Sequence, residues 1–272
     1  VDIPSLCFHG PQEVLDLTLN TQVAVLTMDM AVYEVFAEYF GGEPQVMAGH
    51  SLGEYGALYA AGAISLDEII PLVWARARYH HEAVPPGEGA MAAIIGLQCE
   101  AVNEICRNIC NRGGNVSVSI INTPDQIVVS GYSGSVDEAM ARAVDGGARR
   151  AVKLAISAPC HCNLMEKAAR KLKEDLAQVH FGDCRVPVIP NCDPAVFHDR
   201  RTTRALLFRQ LTNPVKWQET IEKMIEMGVD TLVELGPKRV LGSLVRRIND
   251  RIRLLNVEDL ASLQATVAAL KN

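Results

Sequence analysis

The sequence predicts an α/β fold in which a large domain carries a smaller one inserted into it, and three features of the pattern predict this. A short apolar segment, Gln45 to Ala48, runs into Gly49 and is followed from Gly53 to about Ala61 by a helix rich in small residues. That succession of strand, sharp turn and helix is the repeating unit of an α/β sheet. A second apolar run, Thr231 to Leu235, is stopped by Gly236 and Pro237 and reads as another strand of the same sheet. Between Gly89 and Ile156 the pattern changes to short strands and amphipathic helices in the order β, α, β, β, α, β, the ferredoxin-like arrangement.

The elements follow in order along the chain. Apolar residues from Gln22 to Phe40 fall at helical spacing. The inserted part is read as a strand at Met91 to Gly96, a helix at Glu100 to Asn111 and strands at Val116 to Ile121 and Gln126 to Ser130. A helix at Ser135 to Asp145 and a strand at Arg150 to Ala155 complete it. The expected division is an α/β-hydrolase-like catalytic domain over residues 1–88 and 157–272, with a ferredoxin-like subdomain over 89–156. A groove between the two would hold a ligand.

Composition narrows the function classes. The chain has 272 residues, 49% of them apolar, enough to bury a sizeable core without staples. A formal charge of -6 argues against general affinity for nucleic acid, which depends on a positive surface. No apolar stretch is long enough to cross a bilayer and no basic-then-apolar leader is seen, so the expectation is a soluble, cytoplasmic protein and a monomer. Eight cysteines are present, but Cys106 and Cys110 sit at helical spacing, Cys160 and Cys162 flank a histidine, and no CxxC pair occurs. That pattern argues against a zinc site or a disulfide framework.

Gly49-His50-Ser51-Leu52-Gly53 matches the G-x-S-x-G elbow, which lifts a serine hydroxyl clear of the sheet. Both glycines are expected to be required because side chains there would collide with the neighbouring strand and helix. The amide of Leu52, at a helix N-terminus, is placed to donate to a developing oxyanion. Such a serine needs a base. Seven histidines compete for the role. An ordinary α/β-hydrolase order of serine, acid, histidine would select Asp193 and His198; the alternative is His161, in Ala158-Pro159-Cys160-His161-Cys162.

Taken together, GHSLGEY at 49–55, the following GALYAAGAIS, EAVPPGEGAMAAIIGL, INTPDQIVVSG, APCHCNLM, RQLTNPVKW and VELGPKRVL closely resemble the malonyl-CoA:acyl carrier protein transacylases of fatty acid and polyketide synthesis. The likeness covers nearly the whole chain. It implies Ser51 as nucleophile, His161 as base, and the main-chain carbonyl of Gln210 as the acceptor that holds the imidazole. It also implies Arg76 as the cation that binds the malonyl carboxylate, with a planar fork suited to both oxygens. His50, Met91 and Asn122 fall on positions that would contact substrate.

The partners implied are malonyl-CoA and an acyl carrier protein, with no metal or redox cofactor. Cations at Lys238, Arg239, Arg246, Arg247, Arg251 and Arg253 would suit an acidic carrier. The runner-up functions are an editing thioesterase, for which Arg76 has no use, and a catalytically weak docking module.

Three departures from the family stand out. Its members open with a strand ending in a turn close to F-P-G-Q-G, whose glutamine donates the second hydrogen bond to the oxyanion. No such segment is found here, and that N-terminal strand is expected to be missing. Losing one oxyanion donor costs about two to three decades in rate. Cys160 stands where serine is usual, and Lys238 replaces a glycine of the Gly236-Pro237 turn.

Overall fold

The computed structural model describes residues 2–156 and 158–271. The N-terminal part is helical: α1 (Ile3–His9), α2 (Gln12–Leu15), α3 (Thr18–Phe40), α4 (Gly53–Ala60) and α5 (Leu66–His81). Next comes β1 (Gly89–Ile95), α6 (Cys99–Cys110), β2 (Val116–Thr123), β3 (Gln126–Tyr132), α7 (Ser133–Asp145) and β4 (Arg150–Lys153). The rest comprises α8 (Glu166–Gln178), α9 (Thr203–Gln210), α10 (Trp217–Glu226), β5 (Thr231–Leu235), α11 (Val240–Ile248), β6 (Arg253–Val257) and α12 (Leu260–Lys271). Among the described residues no helix is long and apolar enough to cross a membrane.

The segment from β1 to β4 forms an antiparallel sheet in the order β2-β3-β1-β4. Its residue pattern explains the near-continuous apolar run of β1. Ala90, Ala92 and Ile94 face α6 and α7, packing on Val102, Cys106, Ile109, Val136 and Ala139. Met91 and Ala93, on the opposite face, pack on Val46, Ile189, Val215 and Trp217 of the large part. A strand covered on both sides has no polar face to show, which is why Gly89–Ile95 lacks alternation.

A second core lies among α3, α4, α5 and α8. Val23, Leu26 and Met30 of α3 meet Leu58, Ile69, Val73 and Leu172 there. Gly41 closes α3 in a left-handed conformation, its N–H donating to Ala37 at 3.0 Å. β5 and β6 pair in parallel with full register from Thr231↔Arg253 to Leu235↔Val257.

The strand expected at Gln45 to Ala48 is reduced to one parallel bridge, Met47 with Val188, made by Met47 N–H to Pro187 and Ile189 N–H to Met47. Gln45 to Ala48 also border a groove of about 910 Å³ that β5 lines as well. The Gly236-Pro237 turn shows what the glycine usual after it supplies: Lys238 is held at φ 70°, in the left-handed region.

Candidate active site

Ser51 sits between the Met47 bridge and α4 with φ 52°, a strained backbone for a residue with a side chain. The expectation for the flanking glycines holds for one and fails for the other. A Cβ on Gly49 would lie 2.0 Å from the carbonyl of Gly53, so only glycine fits there. A Cβ on Gly53 would meet nothing within 4 Å, because the first residue of α4 points into open space. Leu52 is the N-cap of α4, and its amide has no hydrogen-bond acceptor among the described residues.

His161 is the histidine brought to the serine. It follows β4, where the chain re-enters the large part, and is itself held at φ 60°. Its Nε2 lies 2.8 Å from Ser51 Oγ, and its Nδ1 lies 2.8 Å from the main-chain oxygen of Gln210. A carbonyl can only accept, so Nδ1 carries the hydrogen and the Nε2 lone pair faces the serine hydroxyl. Burial, with the Arg76 charge nearby, pushes the imidazole down to about 3 against the opposing pull of Gln210, so the ring is neutral and able to accept a proton. A cavity of about 490 Å³ bounded by Ser117, Val118, Asn163, Thr212 and Pro214 reaches it.

The rival pair is not assembled. His198 is buried with its Nε2 2.8 Å from Glu54 Oε1, while Asp193 lies 3.4 Å from Arg209. The hydrolase order fails because Glu54, inside the elbow helix, claims His198.

Arg76 lies on α5 and is 1% exposed. Its Nη2 donates to Ser51 Oγ at 3.1 Å and to Gln210 Oε1 at 3.1 Å, and its Nη1 donates to Gln22 Oε1. The Tyr55 ring lies 5.3 Å from the guanidinium carbon. The buried Nε has no partner among the described residues. Arg78, one half-turn further along α5, is half-buried over the Trp74 and Tyr79 rings and donates to the Tyr79 hydroxyl at 3.2 Å.

The remaining expected residues are buried close to the elbow. His50 Nε2 is 3.0 Å from Asn122 Oδ1, its ring packs 5.4 Å from that of Trp217, and burial holds its pKa below the usual histidine value. Met91 is buried between the small sheet and the large part. Cys160 approaches His80 Nδ1 at 3.4 Å, and burial pushes its thiol up to about 11, which keeps it protonated and unreactive.

Gln22, Glu54 and Asn191 were not picked out from the sequence. Two of them carried a signal: Glu54 interrupts the apolar helix GEYGALYA, and Asn191 ends the buried run Val188-Ile189-Pro190.

The chain matches the family model described as acyl transferase domain over residues 5–264. The malonyl CoA-acyl carrier protein transacylase of Bacillus subtilis (strain 168) is 42% identical over 269 residues, covering 99% of this chain and 84% of the relative. The chain belongs to the malonyl-CoA:acyl carrier protein transacylase family. The Escherichia coli (strain K12) member is 40% identical over 266 residues, 98% of this chain and 86% of its own. Among solved transacylases, the Coxiella burnetii structure superposes with a TM-score of 0.97 at 42% identity, covering 100% of this chain and 85% of that one. A malonyl-transacylase in complex with a type II PKS acyl-carrier protein gives 0.96 at 41% identity, covering 98% and 86%.

Proposed function

We propose that this chain moves a malonyl group from malonyl-CoA to the phosphopantetheine thiol of an acyl carrier protein through an ester on Ser51. Ser51 Oγ attacks the thioester carbon and gives its proton to His161 Nε2, while the Leu52 amide donates to the oxyanion. The C–S bond breaks, and His161 returns the proton to the CoA thiolate. The carrier thiol then gives its proton to His161 and attacks the ester, which releases Ser51 with its proton restored. The carboxylate of the malonyl group pairs with Arg76, which replaces its contact with Ser51 Oγ by one to the substrate. His50, Asn122 and Met91 line the acyl site.

The observation that carries this reading is a buried guanidinium within hydrogen-bond distance of the nucleophile, a feature an editing hydrolase does not need. The finer architecture belongs to the same proposal. It comprises an α/β-hydrolase-like domain over residues 1–88 and 157–272 and a ferredoxin-like subdomain over 89–156, working as a cytoplasmic monomer. The strand order β2-β3-β1-β4 with two helices on one face supports the second of these. The carrier would dock near Lys238, Arg239, Arg246 and Arg247, all exposed.

The test is to mix the protein with malonyl-CoA and a holo carrier protein and weigh all species. Malonyl should appear first on the enzyme and then on the carrier. Release of free malonate without carrier loading would point to a hydrolase instead.

A further inference from the structure

Glu54 is a buried carboxylate that takes no part in the steps above. It projects from the first turn of α4, three residues after Ser51, and both its side chain and that of His198 are 0% exposed. Oε1 meets His198 Nε2 at 2.8 Å, and Oε2 accepts from the Asn191 main-chain N–H and from Gln210 Nε2, each at 2.9 Å.

Both amide residues reach onward to the reacting groups. Asn191 Oδ1 accepts from Ser51 N–H at 2.6 Å, and its Nδ2 donates to Gly49 at 2.7 Å. Gln210 Nε2 also donates to the Ser51 carbonyl at 2.9 Å, its Oε1 accepts from Arg76, and its main-chain oxygen holds His161. One carboxylate is thus joined through two amides to the backbone on both sides of the strained Ser51 and to the guanidinium beside it.

The orientation of the His198 ring hydrogens follows from its outer partner. Thr203 gives its only hydroxyl hydrogen to the Asp199 carbonyl at 2.7 Å, so at 3.2 Å it accepts from His198 Nδ1–H. Glu54 therefore anchors the network from behind Gln210, whose side-chain amide stands between the carboxylate and Arg76.

Building on the reading of the site above, we propose that Glu54 is a positioning residue: through Asn191 and Gln210 it fixes the Ser51 turn and the Arg76 guanidinium relative to each other. Both the acylation rate and the preference for an acyl group with a free carboxylate then depend on a side chain that touches no substrate.

The experiment follows single-turnover acylation of the full chain by malonyl-CoA and acetyl-CoA, read by intact mass, with circular dichroism as the check on folding. Glu54→Gln should stay folded, lose about 100-fold in malonyl acylation rate, keep its concentration dependence, and show a narrowed malonyl over acetyl preference. Gln210→Met leaves the main-chain carbonyl for His161, and should narrow the same preference. It decides the matter if Glu54→Gln does not fold. Wild-type rates and preference in folded Glu54→Gln would overturn the proposal, as would a Gln210→Met protein whose two rates fall equally. A wild-type chain that gains no malonyl mass would instead overturn the reading of the site.

Discussion

Arg76 and Arg247 each bond to side-chain oxygens from a distant part of the chain, yet they sit in opposite surroundings. Arg76 is 1% exposed and is held by Gln22, Gln210 and Ser51. The Arg247 side chain is 36% exposed and bonds Asp125 and Gln126 across from α11. A guanidinium stripped of water and fixed by neutral partners keeps a large unmet demand for an anion, whereas one paired at the surface has its field screened and contributes about 0 to 1 kcal/mol. On the proposed function, Arg76 would select the substrate, whereas the strip along α11 would only speed an encounter.

That contrast is sharpest at the proton-transfer step. His161→Ala should lower malonyl transfer by about three to four orders of magnitude while leaving the fold intact. In the wild type the imidazole is held down to about 3, so the base stays neutral well below the ordinary histidine range. The acylation rate should then stay level as pH falls through 6.5, the ordinary value for histidine. The sign for stability follows from the same shift. A depressed folded-state value means that the contribution of His161 is complete above 6.5 and is lost as pH falls towards about 3.

A smaller effect separates selection from chemistry. Removing Arg76 leaves a malonyl carboxylate desolvated without its partner, at a cost of about 3 kcal/mol or about 100-fold. Arg76→Ala should depress kcat/KM for malonyl-CoA by that factor and change acetyl-CoA far less, and lysine should rescue it only in part. An unchanged ratio would mean that the buried guanidinium serves the fold alone.

The smallest effect is expected at the surface. Arg239 already pairs with Glu258 at 3.2 Å, Arg247 with Asp125, and Arg253 donates to Ala269, which leaves Lys238, Arg246 and Arg251 as the freer cations of the strip. Arg246→Glu combined with Arg247→Glu should raise KM for the carrier at low salt and leave the malonyl-CoA half-reaction alone. A carrier KM indifferent to both salt and charge would place the dock elsewhere.

What could be read in advance follows from how local each signal is. The elbow and the Thr231–Leu235 strand lie within short stretches, and the antiparallel elements were placed to within a few residues. The Glu54 network was not legible, because its bonds to Asn191 and Gln210 close over separations of 137 and 156 residues. Periodicity along a chain says which face is buried, but it does not say which two buried polar groups meet. The same limit explains the requirement assigned to Gly53: a motif names the glycine, and only the packing around it says whether a side chain would collide. His198 passed the test of chain order and failed that of distance, since order does not exclude a carboxylate such as Glu54 arriving first.

Ser51 is proposed to carry the malonyl group, and locating the adduct tests this directly. Wild-type protein and Ser51→Ala are incubated with malonyl-CoA, weighed intact, and the modified protein is digested and mapped. One malonyl is expected per wild-type chain, confined to the peptide containing Gly49 to Gly53, and none on Ser51→Ala. An adduct of undiminished yield on Ser51→Ala, or one mapped to another peptide, would contradict it.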